Sequence, residues 1–118
     1  MNDAESKQYV DTQKALERIR GNEKLFKTLL KHFLNIQEQV DQLKREVEAN
    51  DREGAGKSTH AIKGVAANLS MTALYEQSVS FETLLKSGGD TSEAFGIFEA
   101  TYQKTLECVK ALLQDSPA

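Results

Sequence analysis

At 118 residues, with 39% hydrophobic and 28% charged side chains, the chain has the size and balance of one globular domain and is too short for two of ordinary size. A net charge of −3 argues against a general nucleic-acid binder, and a single cysteine rules out an internal disulfide and fits a reducing compartment. No run approaches the ~20 apolar residues of a membrane span, and the first residues are polar rather than signal-like, so no membrane contact and a cytoplasmic setting are expected.

Residues 1–9 are polar and aperiodic and read as a flexible lead-in. Val10 to Ile19 carries Val10, Ala15, Leu16 and Ile19, a short amphipathic helix capped by Asp11 or Thr12 and ended by Gly21, with Asn22 placed to cap the next. From Glu23 to Asn50 the apolar positions Phe26, Leu29, Phe33, Ile36, Val40, Leu43 and Val47 alternate spacings of three and four, with Leu25, Leu30 and Leu34 widening the stripe. That pattern predicts one helix of roughly 27 residues, about 40 Å long at a 1.5 Å rise. Asn50 and Asp51 then form a turn and a fresh cap, and Arg52 to Leu69 is the third helix.

A fourth helix starts near Thr72 and turns Leu74, Ser78, Phe81 and Leu85 inward, flanked by Tyr75, Val79 and Leu84. Ser87-Gly88-Gly89 stops it, and Asp90 or Thr91 caps a last helix carrying Phe95, Phe98, Tyr102, Leu106, Val109 and Leu113. No alternating strand pattern, repeat or low-complexity tract interrupts this order. Short connections between long amphipathic helices predict antiparallel neighbours, so the expected fold is all-α: an up-down-up-down four-helix bundle with a short N-terminal capping helix. Residues 10–114 form the bundle and 115–118 a tail in this reading.

The third helix organises the rest. Ala55, Ser58 or Thr59, Ile62, Ala66 and Leu69 share one face. His60 stands two residues before Ile62, about 200° round the helix, and so points to water. Its helical neighbours are Glu53, Lys57, Lys63, Gly64 and Ala67: an imidazole flanked by two ammonium groups beside a run of small residues. A mid-helix glycine costs ~1 kcal/mol relative to alanine, and close approach of another molecule to the backbone is the usual reason to keep one. A neutral imidazole is nucleophilic near pH 7, since its ordinary pKa is about 6.5.

The run His60-Ala61-Ile62-Lys63-Gly64 resembles the His-x-Leu-Lys-Gly signature of histidine-containing phosphotransfer (HPt) domains, which carry phosphoryl groups between receiver domains in multistep phosphorelays. The Ala-Leu-Glu-Arg-Ile opening, the Leu-Leu-Lys-His-Phe run and the Asn-Asp-Arg-Glu turn extend the likeness over roughly Val10 to Leu113. The resemblance implies that His60 is the phosphoryl acceptor and that Lys63 sits beside the phosphoryl oxygens. Lys57, one turn back, is placed to join it or to serve as a solubilising face, and Gly64, with Ala67 (otherwise only a good helix former) and Ala61, reads as clearance for a docking receiver. Glu82 stands where several family members have a glutamine that holds the histidine ring; as a carboxylate it could orient the ring or repel a phosphate, and a solvent-exposed glutamate is the competing reading. Two positions depart from the family pattern: Ser70-Met71 replaces a glycine-alanine pair, and Ile62 replaces a leucine.

By the same resemblance the partners are response-regulator receivers, including that of a hybrid sensor kinase, Mg²⁺ is supplied by the receiver, and the chain needs no cofactor of its own. The expected protein is a monomeric phosphotransfer intermediate rather than an enzyme, either standing alone or as the C-terminal domain of a hybrid sensor histidine kinase. A helical adaptor bundle and the dimerisation and phosphoacceptor region of a kinase are the alternative readings. Gly56-Lys57-Ser58 imitates the end of a P-loop, but Asp51 occupies the place of its first glycine and no strand precedes it. His32, His60 and Cys108 lack metal-ligand spacing; His32 reads as solvated or packed and Cys108 as a half-buried small hydrophobe.

Overall fold

A computed structural model describes residues 3–114, so the expected tail lies outside the described residues. The described chain is helical throughout: α1 (Asp3–Tyr9), α2 (Thr12–Arg18), α3 (Glu23–Phe33), a turn of 3-10 helix (Leu34–Ile36), α4 (Gln37–Glu48), α5 (Arg52–Asn68), α6 (Thr72–Ser87) and α7 (Ser92–Gln114). α5 lies between α4 and α6, α6 between α5 and α7, and α7 closes on α3 and α4. The body is elongated, 45 × 24 × 22 Å, because its longest helices run along it.

The helix starts follow from their caps. Asp11, Asn22 and Asp51 each accept a hydrogen bond from the backbone N–H three residues on, at Lys14, Leu25 and Gly54, each contact worth ~1 kcal/mol. Asp90 accepts from Ser92 N at 3.0 Å at the start of α7. The helix ends are less conventional. Arg20, Asn50 and Ser70 all adopt left-handed backbone, with φ of 56°, 56° and 54°. Each closes a paired-bond terminus: Met71 N donates to Ala66 O and Ser70 N to Ala67 O after α5, and the same two bonds recur after α2 and α4. A side chain in that conformation costs roughly 1 kcal/mol, which explains why a glycine would suit position 70.

Three expectations change. Residues 3–9 form α1 where a loose lead-in is expected; α1 packs on α6 and α7, and its last residue Tyr9 and the following Val10 are buried. Seven residues contributing so little apolar surface show no period to read. The single helix expected over Glu23–Asn50 is interrupted by the 3-10 turn, where Leu34 and Ile36 keep right-handed helical backbone. Three residues per turn stack i on i+3, which keeps Phe33 and Ile36 both buried on one side. Leu25 and Leu34, expected to widen the inward stripe, are exposed, while Leu30 is buried.

The core is the stripe that the spacings define. Phe33, Leu43, Ile62, Leu74, Phe98 and Tyr102 are fully buried, and Phe81, Phe95 and Phe98 meet with ring centroids 5.9 to 6.2 Å apart. Burying each such side chain contributes ~2 kcal/mol. Met71 is fully buried too, so the departure from the family pair fills core volume. Ser58 and Thr59 both face inward, and neither is left unpaired. Thr59 donates to Ala55 O at 2.7 Å, while Ser58 donates to Glu46 Oε1 at 2.6 Å and accepts from Gln39 Nε2 at 2.9 Å. Burial pushes the Tyr102 phenol up to about 12, with the Asp41 charge adding to the shift, and its hydroxyl donates to Gln37 Oε1 at 3.0 Å.

Candidate functional site

α5 presents two chemically different sides because its sequence alternates them. The buried positions are mostly small, namely Ala55, Ser58, Thr59 and Ala66 around Ile62, so α4 and α6 approach closely. The other side carries Lys57, His60, Ala61 and Gly64, all exposed. The His60 side chain is 74% exposed, as its position opposite Ile62 requires.

Glu82 on α6 reaches this side. Its carboxylate Oε1 lies 3.5 Å from His60 Nδ1 and 3.0 Å from Lys63 Nζ. The side chain is only 15% exposed, so it is not the solvated glutamate of the competing reading. Oε1 itself is fully buried and makes no contact of hydrogen-bond geometry. Its closeness to Lys63 is therefore an ion pair without good hydrogen-bond alignment, and the imidazole stands just beyond hydrogen-bond reach. Lys63, 25% exposed, is held by this pair, whereas Lys57 is 79% exposed and pairs with Glu53 at 3.7 Å one turn away on its own helix.

Gly64 is exposed, and a Cβ built on it would meet nothing within 4 Å. Packing between helices therefore does not require glycine here. Ala61 is exposed and Ala67 half-buried; the carbonyl of Ala67 accepts from Arg18 Nη1 at 2.8 Å. Two shallow grooves flank the exposed side. One, between α5 and α6, is lined by Arg52, Glu53, Gly56, Lys57, His60, Glu82, Leu85 and Lys86, three cations beside two carboxylates. The other, towards α3, is mostly apolar and is lined by Leu29, His32, Ile36, Ala61 and Val65.

Arg52 is the residue that sequence reasoning missed. Its guanidinium donates to the carbonyls of Leu85 and Leu84, each at 3.0 Å, and of Gly89 at 3.1 Å. It thus caps the negative end of α6 from the first turn of α5. That clamp helps hold the two helices in the register that brings Glu82 to His60. A charged residue at a helix start, 32 to 37 positions from its acceptors, carries no local signal of such a role.

His32 is exposed, and Cys108 is half-buried with its thiol directed at the Ser6 carbonyl, 3.9 Å away; burial pushes that thiol up. Among the described residues no group of three or more His, Cys, Asp and Glu side chains could hold a metal ion, and no helix is long and apolar enough to cross a membrane.

Comparison with known proteins agrees with this architecture. The profile of the Hpt domain family matches residues 28–115, well over half of the chain. The chain belongs to the Hpt domain family, whose members are phosphocarriers of two-component phosphorelays and interact with receiver domains. Among solved structures it is similar to the HPT domain from the Hpt sensor hybrid histidine kinase from Shewanella. The TM-score is 0.83 at 17% identity, over 94% of this chain and 98% of that one, a likeness of fold. No curated relative matches the sequence.

Proposed function

We propose that His60 is the phosphoryl-accepting residue of a phosphorelay carrier, taking the group from a receiver aspartyl phosphate and passing it to another receiver. The observation that carries this reading is an imidazole 74% exposed, one turn from a glycine with open space around it, with a single carboxylate at Nδ1. In the transfer, the lone pair of the other ring nitrogen attacks phosphorus. The P–O bond to the aspartate breaks, and the carboxylate leaves as an anion. Lys63 and Lys57 offset charge on the phosphoryl oxygens, Glu82 orients the ring, and Gly64, Ala67 and Ala61 admit the receiver's backbone. Mg²⁺ and the acidic pocket belong to the receiver, and this chain contributes neither a cofactor nor an ATP site.

The same reading takes α3 with α4, α5, α6 and α7 as the four staves of an up-down-up-down bundle capped by the N-terminal helices. It also takes the protein as a cytoplasmic monomer that meets receivers transiently. The test is incubation with a ³²P-labelled receiver domain. Acid-labile, alkali-stable label is expected on the wild type and absent from His60→Gln; label retained by that variant overturns the assignment.

A further inference from the structure

We infer that the negative charge of Glu82 makes phosphohistidine at position 60 short-lived, so that the domain relays phosphoryl groups and does not store them. The inference rests on the phosphocarrier reading of His60 and adds to it a role for one charge.

The leaving group governs how readily the P–N bond breaks. When phosphorus sits on the ring nitrogen away from Glu82, breaking the P–N bond returns an electron pair to that nitrogen. If Nδ1 carries a proton, the departing group is a neutral imidazole. If Nδ1 is bare, it is an imidazolate anion, a far poorer leaving group. A group that keeps the proton on Nδ1 therefore primes the phosphoryl group for departure, and Glu82 Oε1 is the acceptor placed to do so, 3.5 Å from Nδ1. A carboxylate is the stronger choice, because hydrogen bonds to a charged acceptor are roughly twice as strong as neutral ones. An amide oxygen at this place would orient the ring equally well but would hold the proton less firmly.

Two observations fit a carboxylate with a task still unmet in the resting protein. Oε1 is buried yet lacks any contact of hydrogen-bond geometry, the arrangement in which one more donor is most welcome. Its neighbour Lys63, at 3.0 Å, is the cation that phosphoryl oxygens would attract. As the ammonium moves towards the phosphoryl group, Oε1 is left to the ring N–H, and the two partners of Glu82 exchange importance. Glu82 acts here through the imidazole, as a positioning residue. Water or a receiver carboxylate forms the new bond to phosphorus, the P–N bond breaks, and the Nδ1 proton stays in place throughout.

The experiment uses the full chain labelled on histidine with inorganic phosphoramidate, freed of donor, and followed by ³¹P NMR, for wild type and Glu82→Gln. The near-isosteric variant is expected to take label at His60 and to lose it about tenfold more slowly, the loss of one charge-assisted contact. In parallel, ¹⁵N spectra of the phosphorylated imidazole should show the proton resident on Nδ1 in wild type and less so in Glu82→Gln, which a purely structural role would not produce. An equal or shorter lifetime in Glu82→Gln, with label still at His60, overturns this inference and leaves the carrier reading intact. Failure of the wild type to take label at His60 overturns the carrier reading itself.

Discussion

The two sides of α5 follow opposite rules. Inward, Ala55, Ser58, Thr59, Ile62 and Ala66 are buried and every hydroxyl is paired. Outward, Lys57, His60, Ala61 and Gly64 stand exposed, and a helix-weakening glycine has no packing role. The inward side spends its residues on contact with α4 and α6, so changes there act on stability. The outward side gives up stability for access, so changes there should act on transfer and leave the fold alone or improve it. One seventeen-residue helix thus separates folding from function by about half a turn.

The sharpest way to break that separation is on the inward side. Ile62→Ala removes a fully buried side chain and should destabilise by about 2–5 kcal/mol in urea unfolding. Phosphoryl uptake, corrected for the folded fraction, should stay at the wild-type level; a specific loss of uptake would show that the two sides are coupled.

Burial predicts a second effect away from α5. The Tyr102 phenol is raised from 10.0 to about 12 in the folded protein. Between those values the unfolded chain has released a proton that the folded chain still holds, so unfolding binds fewer protons and stability falls as pH rises. The contribution is intact below pH 10, and its loss is on the order of 2 kcal/mol by pH 12. Tyr102→Phe should flatten that part of the curve without touching uptake by His60.

On the outward side the sign reverses. Gly64→Ala should raise stability by about 0.5–1 kcal/mol, because the added methyl meets open space and the helix gains propensity. A bulkier Gly64→Gln should slow transfer from a receiver on the order of tenfold to a hundredfold while leaving the fold intact. Smallest of all, Lys57→Ala removes an exposed charge from a weak pair with Glu53. Stability should change by no more than about 0.5 kcal/mol, and transfer should slow by about threefold to fivefold, the scale of one charge at close range in water.

Much of this was legible in the sequence, for a definite reason. Spacings of three and four report which side of a helix is buried, and they located the inward residues of α5, α6 and α7 as well as the exposure of His60 and the bare Gly64. They report nothing about α1, which is too short to show a period. Nor do they report the 3-10 turn, since Phe33, Ile36 and Val40 continue the stripe straight through it. Contacts between helices depend on register, which a single sequence does not contain. The family resemblance supplied a place for Glu82 beside His60, but its pairing with Lys63 and the Arg52 clamp on α6 emerge only in three dimensions. Ser70 lies between these cases: its departure from the family glycine is visible in the sequence, but its left-handed backbone is not.

In the proposed carrier, phosphorus binds the imidazole set on the outward side of α5, at the nitrogen turned away from Glu82. Heteronuclear NMR of the receiver-phosphorylated, ¹⁵N-histidine-labelled protein tests it directly. Coupling of ³¹P to ¹⁵N is expected at Nε2 of His60 alone; coupling to Nδ1, to His32 or to no histidine would overturn the assignment.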